Sequence, residues 1–292
     1  MYELIQVGGK SYYINCPAKI GLYRVNNSEV YLIDSGNDKD AGRKVRQILD
    51  KNAWTLKAIL NTHSNADHIG GNQYLQKQTG CDIFANGIEA DFTKHPILEP
   101  SFLYGGYPFE ELRHKFLLAQ KSMVLDFAHE SFPKEIEVIP LPGHFFDMVG
   151  FQTKDQVVYL ADCISSAEIL DKYGIPFIYD VESYLRTLDQ VGEMKAVFFV
   201  PAHAQASSDI KELVEYNKSK VLLIKDRICD ALDLPITFEL LLQKIFQQYQ
   251  LTMDYEQYVL VGSTIRSFLS WLKDNHKISA LIQDNQLLWQ RI

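Results

Sequence analysis

Two imidazoles and a carboxylate fall within six positions of the stretch Asn61–Gly71, at His63, Asp67 and His68. Neutral nitrogen and anionic oxygen donors so close in sequence can converge on a divalent metal ion. Further along, His144 follows a Pro142-Gly143 turn, Asp162 follows an apolar run, and His203 follows Pro201-Ala202. A set of this composition could support metal-assisted hydrolysis.

The elements that must position these donors share one device: an apolar run of strand length ends, and a loop offers a side chain. Leu56–Leu60 precedes the first cluster, Ile136–Ile139 precedes the loop to His144, Val157–Leu160 ends at Asp162, and Ala196–Val200 precedes His203. After the cluster, Asn72–Thr79 carries Tyr74, Leu75 and Gln78 at helical spacing and is closed by Gly80, a residue suited to a helix C-terminus. Asp82–Asn86 then reads as a strand, which makes a strand, helix, strand crossover around the donors. Upstream, residues 2–33 alternate apolar runs and turns in the rhythm of an antiparallel meander. Asp40–Asn52 follows as a helix with Val45, Ile48 and Leu49 on one face. Cys163 is expected to point away from the donors, because neighbours on a strand face opposite sides.

His63-Ser64-Asn65-Ala66-Asp67-His68 resembles the His-x-His-x-Asp-His signature of the metallo-β-lactamase superfamily, and in particular its glyoxalase-II-like group, with asparagine in place of the second histidine. Gly70-Gly71-Asn72, Leu141-Pro142-Gly143-His144, Leu160-Ala161-Asp162 and Pro201-Ala202-His203 continue the likeness in the family's order, over roughly residues 1–205. The resemblance implies an α/β fold, a four-layer αββα sandwich, with one or two metal ions, usually zinc, at one edge of the sheets; manganese and iron are the alternatives. Carried over by position, a first metal would meet His63, Asn65 and His144, a second would meet Asp67, His68 and His203, and Asp162 would touch both. Asp34 would support the metal loop by hydrogen bonding. An amide oxygen is neutral and harder than an imidazole nitrogen, so the first metal should bind more weakly than the second. The implied activity is that of a hydrolase in which metal-bound hydroxide attacks an ester, thioester, lactone or amide carbonyl, or a phosphodiester, with Asp67 orienting the water or carrying its proton. The alternatives are a metal-depleted binding or sensing module and an iron-dependent oxidoreductase on the same scaffold.

The 292 residues are 47% hydrophobic and 12% aromatic, enough for a large core and for two domains. The expected division is a metallo-β-lactamase-like domain over 1–206 and a C-terminal region over 207–292. Residues 87–133 would form an aromatic-rich insertion that serves as a lid, a wall or a surface for a second copy in a homo-oligomer. The alternative for this segment is an ordinary helical excursion, Glu110–Ala119, packing Leu112, Phe116 and Leu117 on the core. His95, His114 and His129 lack partners at ligand spacing and read as surface or packing residues. The C-terminal region reads as helices Ile210–Leu232, Thr237–Gln248 and Tyr255–Asn275 and then a hairpin, the order of a winged-helix unit. A formal charge of -8 argues against a nucleic-acid backbone as the main partner; a small-molecule substrate is what the resemblance implies. Four scattered cysteines, with neither a long apolar span nor signal-peptide features at Met1–Lys10, point to a cytoplasmic protein without a membrane segment.

Overall fold

The structure is a computed structural model that describes residues 2–292. The chain opens with the expected meander: β1 (Glu3–Gln6), β2 (Ser11–Asn15), β3 (Ile20–Arg24) and β4 (Glu29–Ile33), each antiparallel to the next. Helix α1 (Lys39–Lys51) starts where Asp38 accepts hydrogen bonds from the Asp40 and Ala41 amides, and it buries Val45 and Leu49. It crosses over to β5 (Thr55–Leu60), which runs parallel to β4. A four-residue helix, α2 (Ala66–Ile69), and α3 (Asn72–Thr79) lead to β6 (Asp82–Ala85), parallel to β5.

The insertion supplies α4 (Gly87–Lys94), α5 (Leu98–Tyr104) and the two-residue β7 (Leu125–Asp126), which ends the seven-stranded first sheet. The alternative helix at Glu110–Ala119 does not form: only a 3-10 turn at Glu110–Leu112 is present. Leu112 and Leu117 are buried against Val259, whereas Phe116 is half exposed, so the segment follows the surface it covers and not a helical period.

A second sheet of order β11-β10-β9-β8 contains β8 (Glu137–Pro140), β9 (Val149–Gln152), β10 (Val157–Ser165) and β11 (Phe198–His203). Between its last two strands lie α6 (Ala167–Tyr173) and α7 (Val181–Glu193). Facing side chains such as Tyr23, Ile33 and Leu60 from the first sheet and Phe151, Tyr159 and Val200 from the second make one apolar layer between them. Helices α1 and α3 cover the outer face of the first sheet through Val45, Leu49 and Leu75. Helix α7 and the long α8 (Lys211–Ala231) cover the second through Leu188, Val191, Val221 and Ile224. The fold is therefore the four-layer αββα sandwich.

Beyond α8 come β12 (Ile236–Thr237), α9 (Phe238–Tyr249), α10 (Tyr255–Asp274), β13 (Ile278–Gln283) and β14 (Gln286–Arg291). The three strands pair in the order β12-β14-β13. The short β12 escapes a sequence reading because its two residues sit between Pro235 and a helix start. Ile245, Ile265 and Phe268 of α9 and α10 belong to the same apolar cluster as Leu160 and Leu188, which fixes α10 against the sandwich. Among the described residues no helix is long and apolar enough to cross a membrane.

Candidate metal centre

Seven side chains picked out from the sequence are brought to one edge of the sandwich. The Nε2 atom of His68 lies 3.0 Å from Asp162 Oδ1 and 3.7 Å from Asp67 Oδ2. His203 Nε2 lies 3.3 Å from Asp67 Oδ2 and 3.2 Å from Asp162 Oδ2. His144 Nε2 is 3.7 Å from Asp162 Oδ2 and 3.2 Å from Asn65 Oδ1. Two groups result, Asp67, His68, Asp162 and His203 in one and His63, His144 and Asp162 in the other, each with its donor atoms within 4.8 Å of one another.

The elements hold these groups in ways the sequence only partly announces. His63 leaves the end of β5, and Asp67 and His68 ride on α2. The α2 turn is clamped to the loop after β4 by Ser35 N donating to His68 O and Gly71 N donating to Gly36 O. A Cβ on Gly70 would fall 2.2 Å from the Asn37 carbonyl, and one on Gly71 would fall 2.3 Å from Ser35 O, so only glycine allows this approach. Asp162 does not end its strand as expected. It sits inside β10 at a break in register with β11, beside Ala161 at a φ of 50°. The bulge aims the carboxylate into the site while Cys163 goes into the core.

All four imidazoles use Nδ1 to hold the ring and turn Nε2 inward. Phe177 O accepts from His144 Nδ1 and Pro17 O from His203 Nδ1, at 3.0 and 3.1 Å. Asp34 Oδ2 accepts from His68 Nδ1 at 2.8 Å and from Thr62 Oγ1 at 2.7 Å. Because the Thr62 hydroxyl is donating to Asp34, it accepts from His63 Nδ1, 3.0 Å away. Asp34 thus orients two rings, one directly and one through a hydroxyl. Held this way, the imidazoles have the tautomer and direction that metal ligands require.

The interior shows what this arrangement fits. His63 Nε2, His68 Nε2 and Asp162 Oδ1 are buried without a hydrogen-bond partner among the described residues, even though the last two approach to 3.0 Å. Buried polar atoms are seldom left so. Two nitrogens and an oxygen pointed at a common centre suit a divalent cation.

Electrostatics agree. Burial pushes His63 well below the ordinary histidine value, with His68 beside it adding to the effect, and burial also lowers His144. Burial acts the same way on His68 and His203, but the Asp162 and Asp67 carboxylates outweigh it. His68 therefore titrates well above its ordinary value, and His203 is pushed up to about 10. Burial opposes ionisation of Asp67 and Asp162, yet the His68 and His203 rings hold both carboxyls well below the usual range.

Two site residues carry no signature in the sequence. Glu89 of α4 is fully buried; its Oε2 accepts from Ser64 N and Oγ, and its Oε1 from Asp147 N, tying the donor loop to the loop that bears His144. Burial raises its pKa to about 7 against the pull of those donors. Glu99 of α5, 4% exposed, accepts from Asn65 Nδ2 at 2.7 Å, and burial raises it well above the ordinary value. The only hint was a carboxylate set between Leu98 and Pro100 in an aromatic stretch.

The centre opens into two adjoining cavities of about 260 and 570 Å³. The insertion provides Leu103, Phe116 and Leu117 as a wall, and α10 provides Glu256 and Leu260. His114 reaches Glu256 at 3.5 Å, while the His129 ring bonds to Ser131 nearby. A larger groove of about 870 Å³, between Tyr104, Arg266 and Trp271, contains none of the donors.

Residues 14–203 match the model of the metallo-beta-lactamase superfamily. The chain belongs to that superfamily. Over 175 residues this metallo-β-lactamase superfamily member is 46% identical to a hydroxyacylglutathione hydrolase of Methylococcus capsulatus, covering 59% of this chain and 58% of that relative. The chain thus spans well under two thirds of that relative's length. A β-lactamase domain protein of Burkholderia ambifaria superposes with a TM-score of 0.73 at 14% identity, over 99% of this chain and 94% of the other. A metallo-β-lactamase family protein of Thermus thermophilus gives 0.70 at 20% identity, over 99% and 98%. Both likenesses extend through the C-terminal region and concern the fold.

Replacing Asp34 by Asn should weaken divalent-metal binding roughly 10- to 100-fold, because the carboxylate uses two oxygens to accept from the Thr62 amide, the Thr62 hydroxyl and His68, and an amide has only one. Competition with a chromophoric chelator measures this, and an unchanged affinity would show that the two rings need no anchor.

Proposed function

We propose that this protein is a metal-dependent hydrolase of small, uncharged acyl compounds, holding its cations through His63, Asn65, His144, Asp67, His68 and His203, with Asp162 shared. The observation that carries the reading is the convergence of buried, unpartnered Nε2 and carboxylate atoms at the floor of an apolar-walled cavity. When bound, a divalent cation such as zinc would polarise a carbonyl and lower the pKa of a water molecule to about 7.

The chain's own residues supply the remainder. Asp67, about a third exposed, lines the cavity and stays ionised beside His68 and His203. A carboxylate held so far down is a poor proton store, so its part is to accept a hydrogen bond and orient the attacking water. Leu103, Leu117, Phe177 and Leu260 exclude bulk solvent and match an apolar acyl group.

The walls also carry Glu168 and Glu256, against which stands Lys172, whose ammonium lies 4.7 Å from the Tyr173 ring centre. The relative from Methylococcus capsulatus is named for a glutathione thioester, a substrate with net negative charge. Acidic walls disfavour that charge and tolerate a neutral or cationic leaving group.

Three thioesters of one acyl group test both parts: those of glutathione, N-acetylcysteamine and thiocholine, given to the zinc- or manganese-loaded protein. The neutral and cationic compounds should exceed the glutathione thioester in kcat/KM by roughly tenfold at low salt, with the gap closing as salt is added. Preference for glutathione would overturn the charge reading alone. Failure to cleave these or any ester, lactone or amide would overturn the hydrolase reading.

Cation binding should also expel protons. The carboxylates push His203 up to about 10, so it carries a proton at pH 7, and they raise His68 in the same direction; a ring must lose that proton to ligate. Zinc affinity should therefore climb with pH and fall in acid, with about one proton or more released per protein. Calorimetry in buffers of different ionisation enthalpy counts them; a count of zero would contradict the ligand assignment.

A further inference from the structure

Asn65 is the N-cap residue of α2, a position where an asparagine side chain ordinarily accepts a hydrogen bond from the helix's first amides. Here it makes no such bond. Its Oδ1 faces His144 Nε2 at 3.2 Å, and its Nδ2 donates to Glu99 Oε1 at 2.7 Å. The amide has been taken from local structure and turned toward the metal centre.

Its direction matters because only one end of an amide can ligate. The oxygen can bind a cation, whereas the NH2 group would repel one. The Glu99 Oε1 oxygen accepts from Nδ2, which holds the NH2 end toward Glu99 and leaves the amide oxygen facing His144. Glu99 is itself fixed: it is buried on α5, whose Phe102 packs against Phe145 and Phe146 and whose Leu103 packs with Leu117 and Val259. Among the described residues no Lys or Arg pairs with it. The insertion thus places an uncompensated acid directly behind the neutral amide.

The two groups of donors then differ in kind. One offers Asp67, His68, Asp162 and His203, and the other offers His63, His144, the Asn65 oxygen and Asp162. Exchanging an imidazole for an amide oxygen makes the second set harder, and harder sets shift preference from zinc toward manganese or magnesium.

We propose that Glu99 is a positioning residue that makes Asn65 an oxygen ligand, so that the position at His63, Asn65 and His144 takes manganese(II) while the position at Asp67, His68 and His203 takes zinc. The proposal rests on the metal-centre reading above, and its test is metal binding and not turnover.

Metal-free protein would receive one equivalent of zinc and then be titrated with manganese(II), with the loss of the free-ion electron paramagnetic resonance signal recording binding. One tight manganese equivalent is expected beside retained zinc. Glu99→Gln, whose amide can instead donate to the Asn65 oxygen, should weaken manganese binding roughly tenfold or more and leave the zinc in place. Asn65→His should convert the protein to two zinc equivalents with manganese uptake lost, and adding Glu99→Gln to it should change nothing further. The proposal is overturned if Glu99→Gln binds manganese like the parent, if it loses zinc and manganese together, or if the parent binds two zinc ions equally tightly. Should Glu99→Gln fail to fold, Asn65→His alone decides: unchanged manganese uptake there is a contradiction. A parent protein that binds neither ion overturns the underlying reading itself.

Discussion

A single buried carboxylate sets the geometry on which the rest depends. Asp34, 3% exposed at the end of β4, receives the Thr62 amide, the Thr62 hydroxyl and the His68 ring. Its backbone has a φ of 62°, a left-handed conformation uncommon for a residue other than glycine. Such a conformation persists only where surrounding contacts over-determine it, and those contacts are the ones that aim His63 and His68. Ala161, beside Asp162, shows the same departure. Two of the left-handed positions in the sandwich therefore lie beside the centre, one at the residue that orients two rings and one next to the shared carboxylate.

The sandwich makes this concentration of charge tolerable. Buried charges are costly unless they are paired, and here carboxylates and imidazoles lie within about 4 Å of one another with the outer ring nitrogens satisfied by protein oxygens. Beneath them the sheets contribute Leu60, Val149 and Val200, an apolar base that keeps the strand ends in register. Around them the insertion and α10 close the opening, which assigns both segments a role in shaping the cavity.

Much of the site was legible because each donor follows an apolar run, and such runs reveal strands without help from the rest of the chain. The Pro142-Gly143 turn before His144 was equally readable as a backbone requirement, whereas the close approach of Gly70 and Gly71 to Asn37 and Ser35 arises only in the fold. Glu89 and Glu99 were not readable either, because their meaning arises only in three dimensions: their partners Ser64 and Asn65 lie 25 and 34 residues away. The Glu110–Ala119 segment misled for a related reason. Its leucines are spaced like a helix face, yet they are drawn individually toward Val259, and packing overrode periodicity. The bulge at Asp162 was also hidden, since a run of apolar residues does not reveal where a strand slips its register.

The most direct test of the convergence is a crystal structure of the zinc-loaded protein with anomalous data collected at the zinc edge. A peak between His68, Asp67, Asp162 and His203, with nitrogen and oxygen ligands at about 2.0–2.2 Å, is the result this account requires. Zinc found instead at a surface histidine such as His129, or at the His114–Glu256 pair, with the six donors free of metal, would contradict it.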